Sequence, residues 1–400
     1  MRFNGRFSGI TTDQQGMNHI NPEKGMNQNN RTELKYRIAL TMAPAIGPIT
    51  ARKLIEKFGS ARAIFDQKKE VLEMIEGIGP RLSESITAST LLEQAEKEMV
   101  FLDKHRISAL YFEDPHYPQR LNQCADGPIL LYTRGEQGLH CRKSLSVVGT
   151  RRATPYGRDM CRKIIQGLSA VVDDLVIVSG LAYGIDVMAH RAALENGLPT
   201  IAVLGHGLST IYPHAHRDTA KKIIDQGTLV TDFHSRMGPE RNNFLRRNRI
   251  IAGLSHATLV IESAKTGGSL ITAVLASSYD RDVLAVPGRT VDERSKGCNG
   301  LIKSNLAAMV ESHEDVIHHL NWEDHNLPHI KKPTPELFPT EDEQQLLHRI
   351  QEQPGIVPGI LSNNTGISIQ KVLSLLMEME LKQWISVEPG NRYQTRITLP

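Results

Sequence analysis

Between residues 101 and 321, short runs of Val, Ile and Leu alternate with helical patterns, and this alternation limits the fold more than any other feature of the chain. The runs are SLSVVG (144–149), LVIVSG (175–180), TIAVLG (200–205), LVTDF (229–233), ATLVIES (257–263) and VLAVPG (283–288). Each is nearly continuous in apolar residues, as a strand covered by helices on both faces must be. The expected architecture is α/β, with a Rossmann-like, doubly wound and mainly parallel sheet.

Different patterns flank this segment. Residues 1–30 are rich in Asn, Gln, Gly and Met without apolar periodicity, so a disordered tail is expected, and a start at Met1, Met17 or Met26 fits equally. Residues 31–100 read as short helices in which PAIGPITARKLIEKFG (44–59) and IEGIGPRLSESI (75–86) repeat one turn-helix pattern. These repeats resemble paired helix-hairpin-helix modules, whose helix N-termini meet phosphates without reading sequence. Ala45 stands where the first glycine of that pattern usually sits, and a bundle with purely structural turns fits the same residues. Residues 322–340 collect Pro, Asn and charge and read as a linker. Residues 341–400 order three helical patterns before two β-rich runs around Pro389-Gly390-Asn391, a winged-helix-like succession.

Composition narrows the function classes. The chain has 400 residues and no apolar run near the roughly 18 that a membrane span needs. Its N-terminus lacks the apolar stretch of a secretory signal, so a cytoplasmic protein without a membrane partner is expected. Cys124, Cys141, Cys161 and Cys298 are widely spaced, which suggests neither a disulfide framework nor a metal site. No cofactor is expected. The net charge of +3 is weak evidence for nucleic acid, but it is unevenly placed. Residues 101–321 hold 26 basic against 22 acidic residues, and residues 341–400 hold 5 against 7.

Ligands of open α/β sheets bind beyond the carboxyl ends of the strands. Those ends carry Gly149-Thr150-Arg151-Arg152, Ser179-Gly180, Gly205-His206-Gly207 and Glu262 through Ser269, with Lys265, Gly267 and Gly268 inside the last. Small residues, hydroxyls, helix N-termini and cations together suit phosphate. Between the fourth and fifth runs lies RNNFLRRNRIIAGLS (241–255), with Arg241, Arg246, Arg247 and Arg249 in nine acid-free residues. Asn248 and Phe244 are interleaved. Such a segment can neutralise several phosphates, while Phe244 can stack on a base; a solvated basic face with Phe244 in the core is the plainer reading.

Over about 200 residues the order of motifs resembles the DNA processing protein A family (DprA, also called Smf). The similarity runs from Tyr117-Pro118 through VVGTRRATPYG, SGLAYGIDVMAH, VLGHGLSTIYP, FLRRNRIIAGLSHATLVIESAKTGGSLITA and RDVLAVPGR to GCNGLIKSNLA. The resemblance implies binding of single-stranded DNA, loading of the RecA recombinase during natural transformation, and a homodimer joined through the Rossmann-like domain. Its implied DNA contacts are Gly149, Thr150, Arg151, Ser179, Gly180, Arg247, Asn248, Arg249, Lys265, Gly267, Gly268 and Ser269; Arg152, Phe244 and Arg246 join them from the residue reading. Tyr183 stands where the family often has Arg, and Gly297-Cys298-Asn299-Gly300 departs from the usual GTN. The C-terminal residues, acidic and with one cation (Lys371) in the helix 368–381, are expected mainly to contact protein, or the partner subunit, rather than DNA.

Enzyme chemistry is the alternative. Asp186 and His190 lie four apart on one helix and can form an acid/base pair, and Glu262 beside Lys265 and the TGGS turn resembles nucleotide-cleaving Rossmann enzymes. In that case the substrate is a nucleotide or its phosphoribosyl bond. The PGGxGT loop of those enzymes is absent, as are a GxxxxGK[ST] loop and an HExxH pair.

Overall fold

Pro48 and Pro80 each occupy the first turn of a helix, behind Gly47 and Gly79 at the N-cap. Their missing N–H groups and fixed φ suit that position, which explains why the two repeats start helices in the same way. In the computed structural model, the described residues are 28–88, 90–135, 137–322, 339–382, 384–388 and 390–395. The expected tail lies outside them, apart from the first residues of α1, and so does most of the expected linker. The helical segment comprises α1 (Gln28–Met42), α2 (Pro48–Phe58), α3 (Ala61–Phe65), α4 (Lys69–Glu73), α5 (Pro80–Thr87) and α6 (Thr90–His105).

The chain then enters a nine-stranded sheet. In order come β1 (Ser108–Tyr111), α7 (Gln119–Asn122), β2 (Leu130–Arg134), β3 (Lys143–Val148), α8 (Pro155–Val171), β4 (Leu175–Ser179), α9 (Ile185–Glu195) and β5 (Thr200–Val203). There follow α10 (Arg217–Gln226), β6 (Thr228–Thr231), α11 (Arg241–Leu254), β7 (Ala257–Val260), α12 (Gly268–Ser278), β8 (Asp282–Ala285), α13 (Lys296–Lys303), β9 (Ala308–Met309) and α14 (His313–Leu320). The strand order is β1-β2-β6-β5-β4-β3-β7-β8-β9. All six expected runs are strands, and with β9 they make seven neighbours paired in parallel. Strands β1 and β2, which extend the sheet beyond β6, pair antiparallel. The order reverses at β3, flanked by β4 and β7, so the switch point lies between β3 and β7.

Apolar layers cover both faces of the sheet. The helical segment shares a third cluster with it, where Ile38, Leu54 and Met99 join Tyr111, Tyr132 and Leu204. A buried polar link reinforces this packing: the Glu98 carboxylate on α6 accepts from the amide (2.7 Å) and hydroxyl (2.5 Å) of Ser235 beyond β6. Helical segment and sheet thus form one compact unit, divided from a second between residues 324 and 325.

The second unit contains α15 (Glu341–Glu352), α16 (Pro358–Thr365), α17 (Ile369–Leu381) and the antiparallel hairpin β10 (Ile385–Glu388) and β11 (Arg392–Thr395). Ile356, between α15 and α16, bridges to Tyr393. The core is Leu346, Leu347, Ile350, Leu361, Val372, Leu376 and Met379, closed by Ile385 and Tyr393.

Candidate nucleic-acid interface

Because β3 to β9 run parallel, the loops after β3, β4, β5, β6 and β7 lie along one edge of the sheet. Close backbone approach at the switch point depends on Gly149: a Cβ there would lie 2.6 Å from Ile185 and 3.0 Å from the Glu262 carbonyl. The Thr150 amide donates to that same carbonyl at 2.7 Å, joining the loops after β3 and β7.

Glu262 itself is 3% exposed. Its carboxylate accepts from the Thr154 amide at 2.9 Å and from the Thr154 hydroxyl, while that hydroxyl caps α8 by accepting from Gly157 at 3.1 Å. The protein's own anion therefore sits at the N-terminus of α8. The N-terminus of α12 is different. Gly267 is its N-cap, Gly268 is exposed, and Lys265 projects to solvent just before it.

The candidates divide by direction. Arg151, Arg152, Arg246 and Lys265 are exposed, as is Arg241, and none of the five makes an ion pair among the described residues. Ser179, by contrast, is buried and donates to the Val147 carbonyl at 2.6 Å. Ser269 is also buried, against Ser263 at 2.9 Å. Arg247 is 3% exposed, donates to the Val203 carbonyl, and lies across Gly180, where a Cβ would come within 2.0 Å of its Nη1. Arg249 is held by Asp232 and the Asp126 carbonyl, and Asn248 ties α11 to the Gly268 carbonyl at 3.3 Å. Phe244 is half-buried, with Tyr212 and Arg151 against its ring.

Burial governs the titration of the inner groups. It pulls Arg247 down to about 10, opposed by Asp186, so the side chain is still a cation at neutral pH. The Asp186 carboxyl is pushed up by the same burial, against the pull of Arg247 and the backbone amides of Ala182 and Gly180. His190 is fully buried beside Thr200 at 2.7 Å, and burial with Arg247 and His216 lowers it to about 3. A histidine so depressed is neutral at neutral pH, with a single ring proton, and its neighbour on the hydrogen-bond side is Thr200 rather than Asp186.

Sequence reasoning missed Asp232 and Asp126, the partners of Arg249. A carboxylate inside the apolar run LVTDF was the available signal. It also missed Tyr212, which is 44% exposed beside Phe244. Among the described residues no helix is long and apolar enough to cross a membrane, and no group of three or more His, Cys, Asp and Glu could hold a metal.

Comparison with known proteins identifies the family. Residues 108–321 match the family described as DNA recombination-mediator protein A, and residues 38–100 match the helix-hairpin-helix motif. The chain is 32% identical to Protein Smf of Synechocystis over 91% of its own length and 99% of that protein. It is 35% identical to Protein Smf of Escherichia coli, over 76% and 85% of the two chains. An X-ray structure of DNA processing protein A from Streptococcus pneumoniae superposes with a TM-score of 0.57 at 30% identity, covering 73% of this chain and 98% of that one. On the family match and this near full-length similarity, the chain belongs to the DNA recombination-mediator protein A family, the DprA/Smf proteins.

Proposed function

We propose that this chain binds single-stranded DNA along the strand-end edge and, as a homodimer, hands the strand to RecA in transformation or recombination, without catalysing a reaction. The observation that carries the reading is the set of five exposed cations, Arg151 and Arg152 in the loop after β3, Arg241 and Arg246 on α11, and Lys265 just before α12, none of which makes an ion pair among the described residues. Cations of this kind neutralise phosphates of any sequence, and a helix N-terminus adds amide donors for one of them. Gly149 and Gly267 let the loops that carry these donors pack closely, and Thr150 and the open Gly268 lie where the strand's backbone can approach them. Ser179, Gly180, Arg247, Asn248, Arg249 and Ser269 support the edge from beneath, and Phe244 is a backing ring. The family's description as a recombination mediator supports RecA as the recipient.

A non-catalytic role is favoured by what the acid/base candidates do. Glu262 is engaged by Thr154, and His190 is buried and neutral. For the second unit, three helices followed by a hairpin, with Ile356 bridging to Tyr393, support a winged-helix-like reading. On its α17, Ile369, Leu373 and Met377 are exposed at successive turns, with no exposed cation between them except Lys371, which Asp342 neutralises at 2.5 Å. An apolar stripe of this kind suits a protein partner better than a DNA groove.

Oligonucleotide binding against salt tests the main reading. The slope of log affinity against log salt is expected to be steep, and to fall by roughly 0.7 for each of Arg151→Ala and Lys265→Ala. Mononucleotides binding as tightly as a long oligonucleotide would refute strand binding. A pull-down with RecA, and RecA filament formation on strands coated by this protein, test the second step.

A further inference from the structure

Three tyrosines beyond the strand ends expose nearly half their surface: Tyr156, beyond β3, at 46%, whose hydroxyl donates to the Pro287 carbonyl, and Tyr183, beyond β4, at 48% and Tyr212, beyond β5, at 44%, whose hydroxyls make no such bond among the described residues. Single exposed aromatic residues are ordinary on a protein surface. The last two differ in how they are held. Tyr212 leans on Phe244, with ring centroids 5.8 Å apart and planes at 44°. Phe244 in turn is fixed from beneath by Gly205, where a Cβ would come within 2.7 Å of its ring, and carries the Arg151 guanidinium 5.7 Å from its centroid. Tyr183 stands edge-on to His216, at 4.9 Å and 68°, and His216 is itself 4% exposed with its Nδ1 at 2.8 Å from the Leu181 carbonyl.

We propose that Tyr212 and Tyr183 form a base-binding subsite, each ring offering its free side to an unpaired nucleobase of the strand whose phosphates lie on Arg151 and its neighbours. The proposal rests on the strand-binding reading and deepens it. A ring already held by a second ring loses little freedom when a base stacks on it, so the contact is not offset by ordering. Stacking is tolerant of sequence because every base has a π-face. It is selective for single strands because the faces of bases inside a duplex are already covered by their neighbours. Cations alone give no such preference, since a duplex has the denser phosphate charge.

The test uses the full-length protein with two probes of equal length and charge, an oligothymidylate and an oligonucleotide of abasic sites. The intact protein is expected to bind the thymidylate at least ten-fold more tightly. Tyr212→Ala and Tyr183→Ala should each weaken thymidylate binding about ten-fold, leave abasic binding unchanged and keep the salt slope, while Tyr212→Phe should bind like the parent. Arg151→Ala should weaken both probes alike. Equal losses on both probes in the tyrosine variants, or unchanged thymidylate binding in the Tyr183→Ala/Tyr212→Ala double variant, would overturn the subsite while strand binding stood. An intact protein that binds neither probe would remove the strand-binding reading, and the subsite with it.

Discussion

Arg249 donates through one guanidinium nitrogen to the Asp232 carboxylate and through another to the Asp126 carbonyl, and the two charged side chains are only 10% and 7% exposed. The pair joins α11 to the end of β6 and to the loop before β2. Removing one member of a buried ion pair leaves the other uncompensated, so Arg249→Ala should lower stability by about 3–5 kcal/mol. Arg246, three residues earlier and exposed, has its guanidinium 5.3 Å from the centre of the Phe233 ring and makes no ion pair among the described residues. Its alanine variant should stay within about 0.5 kcal/mol of the parent and act on DNA binding instead. Urea denaturation followed by circular dichroism, read on the transition of the sheet unit, separates the two; equal stabilities for both variants would contradict the inward role of Arg249.

Gly180 and Arg247 should be coupled in the same type of measurement. A Cβ on Gly180 meets the buried guanidinium at 2.0 Å, and the Val203 carbonyl holds that group in place. Gly180→Ala should therefore cost about 1–3 kcal/mol through overpacking. With Arg247→Met in the background the obstruction is gone, and the same substitution should be nearly neutral. A coupling energy below about 0.5 kcal/mol, the level of independent sites, would show that the glycine is not required by the arginine.

The positions of these two arginines explain how much of the site could be read from the sequence. The strands of the parallel sheet were legible because burial on both faces leaves near-continuous apolar runs, as in LVIVSG. SALY, the outermost strand β1, has partly exposed residues and no such run, and β9 is two residues long, so both escaped notice. The type of residue at the interface was also legible, whereas its direction was not. RNNFLRRNR is free of acid locally, yet its neutralising carboxylate comes from Asp232 on another element. The wholly apolar IIAGL that follows was the available sign, because a helix buried all round draws the residues just before it inward. Likewise Phe244 was visible as an aromatic residue among cations, but the ring in front of it, Tyr212, lay in a loop read only for its glycine spacing.

The two helix-hairpin-helix turns predict substitutions of opposite sign. Ala45 and Gly77 occupy equivalent places before Gly47-Pro48 and Gly79-Pro80, with φ of 64° and 87°. A side chain in this left-handed region costs roughly 1–2 kcal/mol, against about 0.5–1 kcal/mol of extra chain entropy lost by glycine. Ala45→Gly should thus stabilise the chain by up to about 1 kcal/mol, and Gly77→Ala should destabilise it by a similar amount. Thermal melting of the two variants beside the parent checks both signs; a lower melting temperature for Ala45→Gly would mean that the turn does not bear the strain its φ implies.

His190 should make stability depend on pH in a defined direction. It is fully buried, its Nε2 has no hydrogen-bond partner among the described residues, and burial followed by the charges of Arg247 and His216 lowers it to about 3. Below its unfolded value of about 6.5 the unfolded chain takes up a proton that the folded chain refuses. The contribution is therefore complete above that pH and is lost as pH falls towards 3, at up to about 1.4 kcal/mol per unit. Burial raises the Asp186 carboxyl, so the folded state takes up a proton there more readily than the unfolded chain as pH falls, which offsets part of the loss. The window to read is pH 6 to 5, just below the value of the unfolded histidine. His206, His234 and His256 are lowered too, which steepens the parent's profile but cancels in a comparison. His190→Gln should flatten the dependence by about 1 kcal/mol per unit in that window, measured by urea denaturation at half-unit steps, and parallel profiles for variant and parent would show that this histidine is not excluded from protonation in the folded state.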